Sequence, residues 1–172
     1  MSIPPRLSFD EPRGDARSVP AGSAPTFWQP VPANGHAECI LSDKNIRSFH
    51  RFSMGTQTLP PGGRVRLHAH DTSEEVFYVL RGQGRAEIGG QVHRMAPGAT
   101  LYMGHNVPHT FINDGDTELQ WLWFFMPGGL EDFFAAIGRP RSAGEPAPVP
   151  FARPEDVLQI EANTVFAPPP QA

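Results

Sequence analysis

The stretch Gly62–Gly82 constrains the fold more than any other part of the chain. Two of its histidines, His68 and His70, are separated by one residue, and Glu75 follows where an apolar run begins. Side chains at positions i and i+2 of a strand lie on one face, so both imidazoles can point at one object. A turn and a second strand at 76–80 bring Glu75 towards the same object. Two imidazoles and a carboxylate suit a divalent first-row transition metal.

A third histidine favours a metal site over a surface or solvated role for these residues. A His-x-His pair alone is usually a surface feature, and a glutamate at the start of a strand is usually solvated. His109, however, opens a later apolar stretch, at a distance that suits a barrel strand returning beside the first. The predicted metal ligands are therefore His68, His70, Glu75 and His109. These donors accept Fe²⁺, Mn²⁺, Ni²⁺ or Zn²⁺ and do not select one of them.

This pattern resembles the first sequence motif of the cupin family. The match comprises a glycine, a His-x-His pair, a glutamate and a closing glycine at the family's intervals: Gly62, His68, His70, Glu75 and Gly82. His109 and Asn113 resemble the latter half of the second cupin motif. Asn106 stands where that motif usually has glycine, and because asparagine tolerates the left-handed conformation, the turn should survive. The resemblance implies an all-β fold, the double-stranded β-helix or jelly-roll barrel.

The rest of the chain divides around this barrel. Residues 1–25 are predicted to form a Pro-rich arm without stable structure, and 26–128 the barrel. The remainder, 129–172, should add a C-terminal helix and a Pro-rich tail that pack on the barrel. Apolar residues at helical spacing place the helix at 130–137, and a second short helix is predicted at 154–162. The arm and the last few residues are expected to be dispensable for the metal site.

Two further segments are predicted to be strands, and their side chains indicate which faces are buried. Residues 46–59 alternate in character, and the face that includes Ile46, Phe52 and Met54 is predicted to be the core side. Residues 119–126 are apolar on both faces, with Trp121 and Trp123 on one of them. Such a strand needs cover on both sides, from the barrel interior and from a helix or a second subunit. A homodimer is therefore expected.

Composition excludes several classes of function. The formal net charge of −4 and the scattered basic residues give no footprint for nucleic acid. A single cysteine, Cys39, excludes an intramolecular disulfide, and no signal-peptide pattern or bilayer-spanning apolar run occurs. We expect a cytoplasmic protein with neither nucleic-acid nor membrane partners. Phosphate-loop, dinucleotide-binding and nucleophile-elbow motifs are also absent from the sequence.

Three residues are candidates for a substrate pocket beside the ligands. Phe77, and Phe111 in phase with His109, would make a dry pocket suited to a planar or aromatic ligand, although plain core packing also accounts for them. Arg66 shares its strand face with His68 and would meet an anionic group at the pocket mouth. A solvated arginine at the start of a strand accounts for that position equally well.

The function stays open at the sequence level. Pro127-Gly128-Gly129 followed by a helix with two phenylalanines resembles the tail of bacterial single-domain cupins of the quercetin dioxygenase type. That resemblance implies an oxygenase for a small substrate, aromatic compounds included, with Glu75 as ligand and proton acceptor. A redox-neutral isomerase, epimerase or dehydratase is the alternative, and a non-catalytic binding barrel is the third. The intact ligand set argues against the third, and the sequence does not separate the first two.

Overall fold

The computed structural model describes residues 14–168, and it contains eleven strands and two helices in that range. The remaining parts of the predicted arm and tail, 1–13 and 169–172, lie outside the described residues. The strands are β1 (Thr26–Trp28), β2 (His36–Leu41), β3 (Ser53–Leu59), β4 (Arg64–His68), β5 (Glu74–Arg81), β6 (Gly84–Ile88), β7 (Gln91–Met95), β8 (Thr100–Met103), β9 (His109–Ile112), β10 (Leu119–Met126) and β11 (Arg139–Pro140). The helices are α1 (Leu130–Ile137) and α2 (Val157–Ala162). Neither helix has the length and apolar character that crossing a bilayer would require.

The strands form two antiparallel sheets that enclose one core. The larger sheet has the order β11-β1-β2-β3-β10-β5-β8, and the smaller one has the order β4-β9-β6-β7. Aromatic rings from both sheets meet between them: Phe77 lies 4.5 Å from Phe111, and Phe111 lies 5.7 Å from Trp121, between ring centroids. The predicted fold class, an all-β jelly-roll barrel with a short helical C-terminal extension, is confirmed.

Two backbone positions explain the turns of the motifs. Gly82 has φ 76°, and a Cβ there would lie 2.1 Å from the carbonyl oxygen of Glu118, so only glycine fits. Asn106 has φ 57°, the left-handed conformation expected of an asparagine in place of glycine. Its N–H donates to the carbonyl oxygen of His70 at 2.8 Å. The second motif, with asparagine in place of glycine, therefore keeps its turn, and this hydrogen bond links it to the first motif.

The prediction for residues 46–59 is wrong in two respects. No strand covers 46–52, and β3 begins only at Ser53. The interior face of β3 carries Ser53 and Gly55 rather than the predicted apolar set. Trp123 explains why residue 55 is a glycine, because a Cβ there would lie 2.4 Å from the tryptophan ring. The neighbouring strand fills the core at this point, so the inward position 55 of β3 must be small.

The apolar strand β10 is covered largely within the chain. Trp121 and Trp123 are fully buried inside the barrel, so they supply no outer surface for a partner. The other face carries Leu122 and Phe124, both partly buried, and Phe124 stacks on Phe52 with ring centroids 5.2 Å apart. The homodimer stays a prediction, and an interface on β10 would have to use this outer face rather than the tryptophans.

The helix α1 closes the barrel beside β10 and spans the predicted residues. Its apolar side chains are buried, and the ring of Phe134 lies 5.7 Å from that of Trp123.

At the other end of the chain, residues 14–25 contact the loop before β3. The N–H of Asp15 donates to the carbonyl oxygen of Arg47 at 3.1 Å. The proposed domain boundaries stay a prediction.

Candidate metal centre

The structure brings all four predicted ligands to one point between the sheets. His68 ends β4 and His70 follows it, while His109 begins β9 as the cross-strand partner of His68. Glu75 lies in β5 and approaches from the other sheet. The candidate ligand atoms of the four residues all lie within 4.8 Å of one another. Antiparallel pairing thus brings His68 and His109 together, and the segment after β4 adds His70.

Hydrogen bonds to backbone carbonyls fix the orientation of each imidazole. The Nδ1 atoms of His68 and His109 donate to the carbonyl oxygens two residues before them, each at 2.7 Å. Nδ1 of His70 donates to the carbonyl oxygen of Val165 at 2.8 Å. A carbonyl oxygen only accepts, so Nδ1 carries the hydrogen and Nε2 of each neutral ring presents a lone pair. Such second contacts are typical of metal-ligating histidines.

The inner atoms of the cluster lack hydrogen-bond partners. Nε2 of His70, Nε2 of His109 and Oε2 of Glu75 are buried without one. Glu75 Oε2 lies 3.2 Å from His109 Nε2 and 3.5 Å from His70 Nε2. Buried lone pairs that converge in this way are unfavourable unless a cation neutralises them. The residues therefore fit a divalent metal bound by three Nε2 atoms and one carboxylate oxygen.

The protonation states of the cluster also fit a metal. Burial, and then the neighbouring His109 and His70, hold the pKa of His68 well below its ordinary value. Burial alone would raise the pKa of Glu75, but His109 and His70, when protonated, donate hydrogen bonds to its carboxylate and attract it, so the pKa of Glu75 is lowered. Near neutral pH the site therefore offers a neutral His68 and an ionised Glu75, the forms that ligate a metal.

Adjacent glutamates in β5 have different environments. Glu75 is 2% exposed and points into the cluster. Glu74 points to the opposite face, where its carboxylate accepts a hydrogen bond from Tyr102 Oη at 3.0 Å. Only one of the two can therefore serve as a ligand.

We expect Glu75→Gln to weaken metal binding by about tenfold or more, because an amide has no charge and one oxygen fewer. Glu74→Gln should leave metal affinity nearly unchanged. Competition with a chromophoric chelator measures both variants. Equal losses of affinity would mean that the ligand assignment is displaced by one residue.

A cavity of about 60 Å³ opens beside the centre, and all three predicted pocket residues line it. Phe77 and Phe111 are almost fully buried and also pack against Trp121, so each serves both as core and as cavity wall. Arg66 is not simply solvated, because its guanidinium forms an ion pair with Glu161 of α2. Much of the remaining wall is apolar, and α1 contributes four of its side chains.

The sequence analysis missed the C-terminal segment, defined here as residues 164–167. Val165 accepts the hydrogen bond from His70, and the N–H of Ala167 donates to the carbonyl oxygen of Ala69 at 2.9 Å. The ring of Phe166 lies 5.0 Å from that of His70 and 5.2 Å from that of His68. That the last few residues are dispensable for the site stays a prediction, and these contacts suggest that it applies to the residues after this segment. The apolar Val165-Phe166 pair before the final prolines was the one signal available.

Fold and site together define a small β-barrel protein with a candidate metal centre. The cupin domain family matches residues 55–125, the part of the chain that contains all four ligands. An oxalate-binding protein of Thermotoga maritima is 33% identical over 83 residues, which cover 48% of this chain and 68% of that protein. The chain belongs to the cupin family.

Two further similarities extend the comparison. Quercetin 2,3-dioxygenase of Bacillus subtilis is 32% identical over 101 residues, which cover 59% of this chain but only 29% of that enzyme. The crystal structure of the polyketide cyclase RemF from Streptomyces resistomycificus superposes with a TM-score of 0.57 at 17% identity, covering 66% of this chain and 80% of RemF. At that identity the second similarity concerns the fold alone.

Proposed function

We propose that this cupin is a metal-dependent oxygenase of the dioxygenase type that acts on a small substrate, aromatic compounds included. One observation carries the proposal: four convergent donor atoms lie beside a largely apolar cavity. Four protein ligands leave positions open on a first-row metal of higher coordination number. When bound, such a metal can hold substrate and O₂ side by side.

The protein's own residues have defined tasks in this proposal. Phe77 and Phe111 exclude water from the inner end of the cavity, which strengthens electrostatic interactions there. Glu75 would accept a proton from a bound substrate, because its carboxylate borders the cavity as well as the metal site. The carbonyl oxygens behind the three histidines hold the rings in their ligating orientation.

Similarity to quercetin 2,3-dioxygenase supports oxygenase chemistry, and the position of Glu75 in the cavity wall supports a second candidate. A redox-neutral isomerase or lyase would need a base beside a polarised carbonyl group, and Glu75 could be that base without any use of O₂. Both candidates use the same ligands, so the requirement for O₂ is the property that separates them.

Oxygen uptake tests the proposal directly. The protein would be loaded in turn with Fe²⁺, Mn²⁺, Ni²⁺ and Zn²⁺ and incubated with flavonols, catechols, β-diketones and aromatic carboxylates. We expect O₂ consumption with at least one metal, and incorporation of both atoms of isotopically labelled O₂ into the product. His109→Ala is the inactive control. Turnover at an equal rate without O₂ would replace the oxygenase by the redox-neutral enzyme, and the absence of any turnover would contradict both.

A further inference from the structure

Two arginines from distant parts of the chain share one carboxylate beside the metal centre. Arg66 of β4 and Arg153, which precedes α2, each donate from Nη2 to Oε1 of Glu161. The side chains of Arg153 and Glu161 are 18% and 13% exposed, and that of Arg66 is 38% exposed. We call these three residues the arginine clamp. Sequence analysis singled out Arg66 but gave no sign of its two partners.

The clamp carries one positive charge more than it carries negative charge. Two guanidinium groups meet a single carboxylate, and each guanidinium has five N–H donors, of which one side chain can satisfy only a few. Exposed surface pairs are often incidental, but Arg153 and Glu161 lie largely out of solvent. An uncompensated charge in such a place favours an anionic ligand.

The clamp faces the cavity beside the metal centre. Both of its arginines line that cavity together with His68 and Glu75, and the exposed Arg64 also lines it. Glu75, already assigned to the metal, is the only acidic residue among the lining residues in the described part of the chain. Part of the remaining wall is apolar and consists of Leu130, Phe133, Phe134, Ile137 and Phe166.

We propose that Arg66 and Arg153 bind the carboxylate of a small substrate whose compact apolar body packs against α1 and Phe166. The inference rests on the proposed function in placing that substrate beside the metal. A carboxylate would compensate the excess positive charge of the clamp, and guanidinium groups pair with the planar carboxylate through parallel hydrogen bonds. Glu161 positions the two guanidinium groups from behind.

A charged probe and its neutral analogue test the clamp. Titration calorimetry on the Zn²⁺-loaded full-length protein would compare benzoate with benzamide, which has the same shape and no charge. We expect benzoate to bind at least tenfold more tightly than benzamide. In Arg66→Gln and in Arg153→Gln that preference should fall to threefold or less, while benzamide affinity stays unchanged. Arg94→Gln, an exposed arginine that contacts Gln83, is the matched control and should keep the full preference.

Three results would contradict the proposal that the clamp binds a carboxylate. If both arginine variants keep the preference for benzoate, the carboxylate binds the metal instead, and the inference fails. If benzamide and benzoate affinities fall together, the arginines only dock α2, and the inference also fails. If inorganic phosphate competes better than benzoate, the ligand class is wrong. These measurements need no turnover, so a protein that discriminates benzoate through the clamp but never consumes O₂ would contradict only the proposed function.

Discussion

His70→Ala should remove most of the metal from the purified protein. Wild-type protein is expected to hold close to one first-row metal ion per chain, because four donors converge on one point. His70 is 1% exposed, and its ring is held by Val165, so no other side chain can move into its place. Losing a ligand should cost more than the roughly 10–100-fold in affinity that the loss of an outer contact costs.

Metal-dependent thermal stability gives a second measure of the same loss. A metal present at about a thousand times its Kd raises the unfolding free energy by about 4 kcal/mol. For a chain of this size that corresponds to a Tm increase of about 8–16 °C. We expect the increase in wild-type protein and little of it in His70→Ala. His105→Ala, which alters an exposed histidine in the same region, should behave like wild type. Unchanged metal content in His70→Ala, measured by elemental analysis, would contradict the site.

The features that could be predicted from the sequence depend on short-range geometry. The His-x-His spacing predicts that His68 and His70 converge, although β4 ends at His68, and helical spacing defines α1 to the residue. Both predictions use the backbone period alone. The left-handed conformation of Asn106 could be predicted because asparagine tolerates a positive φ. In each case the information lies within a few residues, so no knowledge of distant parts of the chain was needed.

The features that were missed depend on what another element supplies. The inward face of β3 could not be read from its own residues, because Trp123 occupies the space that an apolar side chain on β3 would need. Arg153 and Glu161 become neighbours of Arg66 only when α2 docks against β4. Val165 contributes a backbone carbonyl, which has no sequence signature at all.

The C-terminal segment should be necessary for tight metal binding although the barrel folds without it. Deleting residues 164–172 removes the carbonyl oxygen that accepts from His70 and the ring of Phe166. His70 would then lose the contact that fixes its orientation, and loss of such an outer contact typically lowers metal affinity by about 10–100-fold. Val165 is the one buried core residue in the deleted part that the structure describes, and its loss should cost about 1.5–3 kcal/mol in unfolding free energy.

Three variants measured side by side identify which contact matters. Deleting only residues 169–172 is the control and should leave metal affinity unchanged. Phe166→Ala keeps the carbonyl oxygen of Val165, so it should weaken metal binding less than the longer deletion does. Affinity from chelator competition and Tm without metal would be recorded for each. If the longer deletion binds metal as tightly as wild type, then His70 does not need the contact with Val165, and the C-terminal segment merely covers the barrel. If Phe166→Ala alone reproduces the whole loss, the aromatic ring rather than the carbonyl oxygen holds His70 in place.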